Sequence, residues 1–133
     1  METVARRRDW PVWIGSALLT ITALFHFTGF FAIPAPTPGS GSPSFFEAAL
    51  RPLWLLASLH WLLTAVICVL VVNAPPRVAR TILLACAAVV FADAVLLYRF
   101  IGPFIGEAFL TAAALLLAWG GLRARADDHT ERT

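Results

Sequence analysis

The stretch PLWLLASLHWLLTAVICVLVV, residues 52–72, contains no Asp, Glu, Lys or Arg and decides the class to which this chain belongs. A helix needs roughly 20 mostly apolar residues to cross the hydrocarbon core of a bilayer, and this stretch is long enough. A second uncharged stretch, from Trp10 to Phe46, is longer still. Both stretches therefore predict helices that span a membrane.

The composition of the whole chain agrees with this interpretation. Hydrophobic residues make up 59% of the 133 positions, charged residues make up 14%, and the mean hydropathy is +0.79. A soluble domain of this size could not cover so much apolar surface. The net charge is only +2, and no basic run carries interleaved aromatic residues, so we predict the lipid bilayer and no nucleic acid as a partner.

Proline and glycine positions divide the chain into four predicted helices. Three prolines after Ile33 end the first helix, and a loop rich in Pro, Gly and Ser follows. Residues 45–50, late in that loop, are predicted to form a short interfacial helix. The predicted fold is all-α: an antiparallel four-helix bundle forming one transmembrane domain. Its helices cover about residues 11–33, 52–72, 78–98 and 103–122, with an outer loop at 34–51 and a cytoplasmic tail at 123–133.

The arginines predict the orientation of these helices. With the N-terminus inside, eight of the ten arginines lie on the inner side, and only Arg51 and Arg99 lie on the outer side. Positive residues are concentrated on the cytoplasmic side of membrane proteins. We therefore predict a multi-pass protein of the bacterial inner (plasma) membrane with both termini in the cytoplasm. The first apolar run is too long for the core of a signal peptide, so we interpret it as a retained helix.

Four ionisable residues inside the predicted helices give the main indication of a function. Counted from the helix ends at 1.5 Å per residue, His26, His60, Asp93 and Glu107 each lie roughly 6–12 Å below the outer boundary. Ionisable groups are costly in hydrocarbon and rarely occur there without a partner or a task. The sequence thus predicts a layer of two imidazoles and two carboxylates near the outer surface.

The helical faces predict that this layer points into the bundle. Small and hydroxyl-bearing residues mark contacts between membrane helices, and they share faces with the ionisable residues. On the first helix this face contains Gly15, Leu19, Thr22, His26 and Gly29. The corresponding faces are Ala57, His60, Thr64 and Cys68 on the second helix, and Glu107, Thr111, Ala114, Ala118 and Gly121 on the fourth.

Two interpretations of the layer need no cofactor. In the first, the polar groups pair with one another or with an arginine and fix the helix register, as in a structural subunit of a homo-oligomer or larger membrane complex. In the second, they line an outward-facing pocket for a small amphipathic ligand such as a lipid or a quinone, because ligand sites are apolar with a few convergent polar groups. The predicted contacts of this ligand are His26, His60, Asp93, Glu107, Arg99, Tyr98, Trp61 and Thr64, and the predicted walls include Phe25, Phe27, Phe30 and Phe104.

A third interpretation is a redox membrane protein that holds haem or a divalent metal ion. His26 and His60 would be the axial ligands of a haem, or all four layer residues would bind the metal ion. No spacing such as HxxxH accompanies them.

The chain also has no nucleophile elbow, phosphate-binding loop or dinucleotide motif, so a binding or accessory protein is predicted rather than an enzyme. Cys68 and Cys86 lie in apolar segments, and we interpret them as small buried hydrophobic residues.

Three segments occur in a characteristic order: FFAIPAP (30–36) ends the first helix, LRPLWLLASLHWLL (50–63) opens the second with an arginine, and LLYRFIGPFIGE (96–107) joins the last two. In this order of parts the chain resembles the DoxX-like group of small bacterial four-helix membrane proteins. The resemblance covers most of the chain and implies a four-helix membrane fold. It also implies a link to quinone-coupled redox chemistry, and it assigns no active residues.

Overall fold

The computed structural model describes residues 9–33 and 45–130. Within these ranges the chain is helical apart from short links, and no strand occurs, which confirms the predicted all-α class. Single 3₁₀ turns at Phe30–Ala32 and Val71–Asn73 follow the first and second helices. The helices are α1 (Trp10–Gly29), α2 (Phe45–Leu70), α3 (Pro76–Ile101) and α4 (Ile105–Thr130).

Each of these helices contains a segment that is long and apolar enough to cross a bilayer. The four segments are Trp10–Ala32, Ala48–Asn73, Pro76–Ile101 and Ile105–Ala124. Large apolar side chains remain exposed along all four, as expected where lipid replaces water around the protein. The chain therefore has the architecture of a small multi-pass membrane protein.

Two helix boundaries differ from the predicted ones by more than four residues. α2 begins at Phe45, so the predicted interfacial helix forms its first turns, and Pro52 lies inside the helix. A proline at this position removes one backbone hydrogen bond, but the helix is continuous on both sides of it. α4 continues to Thr130, well past the predicted end at 122, because alanines and arginines after Leu122 favour the helical state. Residues 34–44 of the predicted outer loop and 131–133 of the predicted tail lie outside the described residues.

The helices pack unevenly around the bundle. α1 contacts both α2 and α4, and α3 contacts α4 extensively, whereas α2 and α3 approach each other at few positions. The α1–α4 contact is close because glycines lie in it: a Cβ on Gly15 would be 3.2 Å from the carbonyl oxygen of Ala113. A Cβ on Gly120 would be 2.5 Å from Cγ2 of Val12. Small residues allow this approach, which direct packing between membrane helices requires.

The inward face predicted for the first helix is confirmed by burial. Gly15, Leu19 and Thr22 are buried, and His26 and Gly29 are half-buried. Leu19 belongs to the same buried core cluster as Leu110 and Leu117 of α4. The face that carries His26 therefore points toward the other helices.

Replacing Gly15 with leucine should destabilise the bundle, because the new side chain would have to push α1 away from the α4 backbone. We expect the free energy of unfolding in mild detergent to fall by about 1–3 kcal/mol, the usual cost of overpacking. Ala17→Leu is the control, since Ala17 is exposed on the same helix. A Gly15→Leu protein as stable as the control would contradict the close α1–α4 contact.

Candidate functional site

The imidazole of His26 is held by three side chains of α2. Its ring stacks on Trp54 with centroids 4.1 Å apart, and it meets Trp61 edge-on at 5.0 Å. Its Nδ1 lies 2.9 Å from the hydroxyl oxygen of Ser58. Trp54, Ser58 and Trp61 follow one another at the spacing i, i+4, i+7, so they lie on one face of α2. This face fixes the position and tilt of the imidazole.

The backbone at the end of α1 contributes to the same contact. α1 tightens into a 3₁₀ turn, in which the N–H of Phe30 donates to the carbonyl of Phe27. The last backbone carbonyls of a helix lack helical partners. Here the indole N–H of Trp54 donates to the backbone carbonyl of His26 at 2.6 Å. A Cβ on Gly29 would be 2.6 Å from Cζ2 of Trp54, so only glycine leaves room for the indole here.

A second contact connects α2 to α3 through one carboxylate oxygen. Trp61 Nε1 donates a hydrogen bond to Oδ2 of Asp93 at 2.9 Å, and His60 Nε2 lies 3.2 Å from the same oxygen. The side chains of His60 and Asp93 are 41% and 28% exposed. A carboxylate within the membrane-spanning region requires such donors, because an unpaired charge there is costly. The pair therefore stabilises the α2–α3 contact where the two helices otherwise pack sparsely.

Trp61 joins the two contacts into one group that spans three helices. We call His26, Trp54, Ser58, His60, Trp61 and Asp93 the His26–Asp93 cluster. The structure thus brings three of the four predicted layer residues into one connected set. Glu107 does not contact them: it lies in the first turn of α4 and accepts a hydrogen bond from Thr111 at 3.0 Å. The positive end of the helix dipole also favours a carboxylate at that position.

The remaining predicted contact residues lie at the edge of the cluster or outside it. Thr64 is buried and donates to the backbone carbonyl of His60 at 2.8 Å, which satisfies its hydroxyl within α2. Tyr98 and Arg99 are exposed near the C-terminal end of α3. Within the described ranges, no hydrogen bond joins either of them to the His26–Asp93 cluster.

A cavity of about 530 Å³ lies beside this cluster and is lined by residues of all four helices. His26, Trp54 and Trp61 contribute to its wall, together with the predicted wall residues Phe25 and Phe104. Nearly all of the remaining lining is apolar, from Leu50, Leu53, Ala57, Leu97, Ile101 and Leu110. His60, Asp93 and Glu107 are not among its lining residues, and Phe27 lines a separate groove between α1 and α2. The cavity therefore presents a single imidazole in an apolar, aromatic wall.

Two members of the cluster, Trp54 and Ser58, were not among the predicted site residues. Neither is ionisable, so a search for titratable groups within apolar segments passes over them. Their spacing from Trp61 was visible in the sequence as one face of a helix. Their contact with His26 was not, because it depends on how α1 and α2 are rotated toward each other.

The described residues offer no metal-ligand set. In residues 9–33 and 45–130, no three His, Cys, Asp or Glu side chains lie together as ligands of one ion. Trp61 lies between His26 and the His60–Asp93 pair. Its ring contacts the imidazole of His26, and its indole N–H donates to Asp93. The geometry therefore does not support the interpretation in which all four layer residues bind a divalent metal ion.

Comparison of the chain with protein-family models, with curated proteins and with solved structures gave no match in any of the three. The His26–Asp93 cluster and the cavity are therefore the features that bear on the function of this chain.

The Trp61–Asp93 hydrogen bond can be measured with a double-mutant cycle. We expect Trp61→Phe and Asp93→Ala to be coupled by about 0.6–1.7 kcal/mol in the free energy of unfolding, which runs from the average to the largest value for hydrogen bonds between membrane helices. Trp119→Phe paired with Asp93→Ala is the control, because Trp119 contacts Trp10 and Arg123 instead. A coupling energy near zero for the Trp61 cycle would show that the bond does not hold α2 to α3.

Proposed function

We propose that this chain is a bacterial inner-membrane protein whose four helices run antiparallel, with both termini in the cytoplasm. Trp10, at the start of α1, packs against Trp119, late in α4, which supports opposite directions for these two helices. Arg77, Arg80 and Arg123 belong to one end of the bundle, and Arg51 and Arg99 to the other. The majority of arginines at the first end favours a cytoplasmic location for it.

In this orientation, the cavity opens within the outer half of the bundle, and we propose that it binds a small, planar amphipathic molecule of a lipid-like or quinone-like kind. Its volume of about 530 Å³ falls within the usual range of small-molecule sites. Aromatic side chains on α1, α2 and near the start of α4 can sandwich a flat ring. The apolar residues around them suit an attached hydrocarbon tail.

One observation carries this proposal: His26 lines the cavity with one ring nitrogen still available. Nδ1 is occupied by Ser58, and among the described residues none hydrogen-bonds to Nε2. In a neutral imidazole one nitrogen donates and the other accepts, so Nε2 takes the role opposite to that of Nδ1. A ligand hydroxyl can fill either role, and a ligand carbonyl can accept a hydrogen bond from Nε2 when Nε2 carries the proton. Stacking on Trp54 holds the ring in place before the ligand arrives, which lowers the entropic cost of binding.

His60 and Asp93 have a positioning role in this proposal. Oδ2 of Asp93, which His60 also contacts, accepts the hydrogen bond of the Trp61 indole. This bond holds Trp61 in the cavity wall next to His26. Arg51 stacks its guanidinium over Phe30 at 4.7 Å near the outer end of α1, where it can attract anionic headgroups. The membership in the DoxX-like group that the sequence suggests remains a prediction and is compatible with a quinone-like ligand.

A structural subunit of a larger complex is the second candidate function. It is favoured by the internal partners of His60, Asp93 and Glu107, which leave these polar groups satisfied within the chain. Polar residues that only fix helix register behave in this way. The two candidates differ in whether the cavity binds a ligand.

Filling the cavity should weaken ligand binding. We expect a benzoquinone with a ten-carbon chain to quench the tryptophan fluorescence of the protein in lipid nanodiscs in a saturable manner. Ala57→Leu fills the cavity and should raise the Kd at least tenfold, because the lost contact is worth about 1.4 kcal/mol or more. His26→Ala should raise it about three- to tenfold, the value of one hydrogen bond.

The matched control for this experiment is Ala88→Leu, which adds the same side chain at an exposed position of α3 that does not line the cavity. It should leave the Kd unchanged. Quenching that never saturates and is equal in all variants would mean that the quinone merely dissolves in the bilayer. That result would reject the binding function and favour the structural candidate.

The orientation can be tested separately by cysteine labelling. In a background of Cys68→Ala and Cys86→Ala, we expect a membrane-impermeant maleimide added to intact spheroplasts to label Pro103→Cys and spare Ala74→Cys. These positions lie in the α3–α4 link and the α2–α3 turn, at opposite ends of the bundle. Both must react after lysis, which controls for buried thiols. The reverse pattern would invert the proposed topology.

A further inference from the structure

The two cysteines of the chain face each other across the α2–α3 interface. Cys68 follows Trp61 by seven residues on α2, and Cys86 precedes Asp93 by seven residues on α3. Seven residues are almost two helical turns, or about 10 Å along the axis. Cys68 therefore lies on nearly the same face of α2 as Trp61, and Cys86 lies on nearly the same face of α3 as Asp93. Because Trp61 and Asp93 are hydrogen-bonded, this register brings Cys68 opposite Cys86. The two thiols are accordingly close enough to interact with each other.

The surroundings of the pair differ between its two members. Cys68 is fully buried in the core cluster, whereas Cys86 is half-buried and packs against that cluster from its edge. Both thiols are free, and the chain contains no other cysteine. Two thiols brought together on different helices can do what a single buried cysteine cannot: they can form a bond that joins those helices.

The apolar setting selects among the reactions that a thiol pair can undergo. A monovalent soft metal ion such as Cu(I), held by two thiolates, would leave a net negative charge in the hydrocarbon region, which is costly. A disulfide is neutral and adds no charge there. An oxidant that reaches these thiols must itself dissolve in the bilayer, and organic hydroperoxides are neutral molecules that do so.

We propose that Cys68 and Cys86 form a redox-active dithiol, which hydroperoxides dissolved in the bilayer oxidise to a disulfide that joins α2 to α3. This site is separate from the cavity and does not depend on the proposed ligand.

The reaction proceeds in two balanced steps. The more exposed sulfur, that of Cys86, attacks the terminal oxygen of the hydroperoxide: the O–O bond breaks, an S–O bond forms, and the thiol proton leaves with the alcohol. The sulfur of Cys68 then attacks the sulfenic sulfur of Cys86: the S–S bond forms, the S–O bond breaks, and the hydroxyl leaves with the second thiol proton as water. Two thiols and one hydroperoxide thus give one disulfide, one alcohol and one water.

The looseness of the α2–α3 interface makes this reaction feasible. A disulfide requires the two sulfur atoms to approach to about 2.05 Å, closer than any hydrogen-bonded contact. The two helices must therefore move slightly toward each other near residues 68 and 86. They contact each other at few positions, so few packed side chains oppose the movement.

The experiment uses the full chain in lipid nanodiscs with cumene hydroperoxide at a fivefold molar excess. We expect both thiols to disappear together, the intact mass to fall by about 2 Da as two hydrogens are lost, and dithiothreitol to restore them. The protein should remain monomeric on a non-reducing gel. In Cys68→Ala, Cys86 should accumulate as the sulfenic acid and be trapped by dimedone. In Cys86→Ala, trapping at Cys68 should be at least tenfold slower.

The matched control keeps two cysteines but moves one of them off the shared face. In the variant Cys86→Ala, Ala88→Cys, the new thiol lies about 200° around α3 at an exposed position, and we expect the intramolecular disulfide to form at least tenfold more slowly. Three results would overturn the proposal: wild-type thiols that survive the hydroperoxide, disulfides formed only between molecules, or a control that closes as fast as the wild type.

Discussion

The hydrogen bond from Trp61 to Asp93 is the constraint on which the rest of the candidate site depends. In a membrane, apolar side chains gain little by leaving lipid for a neighbouring helix, so polar contacts carry much of the specificity of packing. α2 and α3 meet at few positions, and this bond sets their register. It places His60 beside the same carboxylate and holds the indole against His26. Two turns away, the same register brings the two thiols together.

The contact between α1 and α4 is tight toward one end of the bundle, and a cavity lies toward the other. Near the N-terminal end of α1, Gly15 and Gly120 allow α1 and α4 to approach closely. Near the other end of α1, aromatic side chains line the cavity. Gly29 lies beside this cavity and gives Trp54 the room to reach the end of α1. The glycines therefore determine where a neighbouring helix or side chain can approach closely.

The ionisable residues in the spans differ in what their surroundings leave available. Asp93 and Glu107 each accept hydrogen bonds from neighbours within the chain, which offsets the cost of a carboxylate in this environment. His26 uses one ring nitrogen and its backbone carbonyl for structure. Its other nitrogen is the polar group best placed to meet a ligand in an otherwise apolar cavity. This difference, more than the number of titratable groups, is the basis of the proposed binding site.

The sequence alone determined the four helices and the inward face of α1. Long uncharged segments form spanning helices in almost any context, because the bilayer leaves the backbone few alternatives, and a small-residue face at helical spacing marks the contact side. Only the tertiary structure decided that Pro52 lies inside α2 and that Glu107 is separate from the cluster. The same holds for the contact of Ser58 and Trp54 with His26, and for the pairing of Cys68 with Cys86. These features depend on the rotation and axial register of one helix against another. Interactions between residues far apart in the sequence set that rotation and register, and the pattern within a single helix does not encode them.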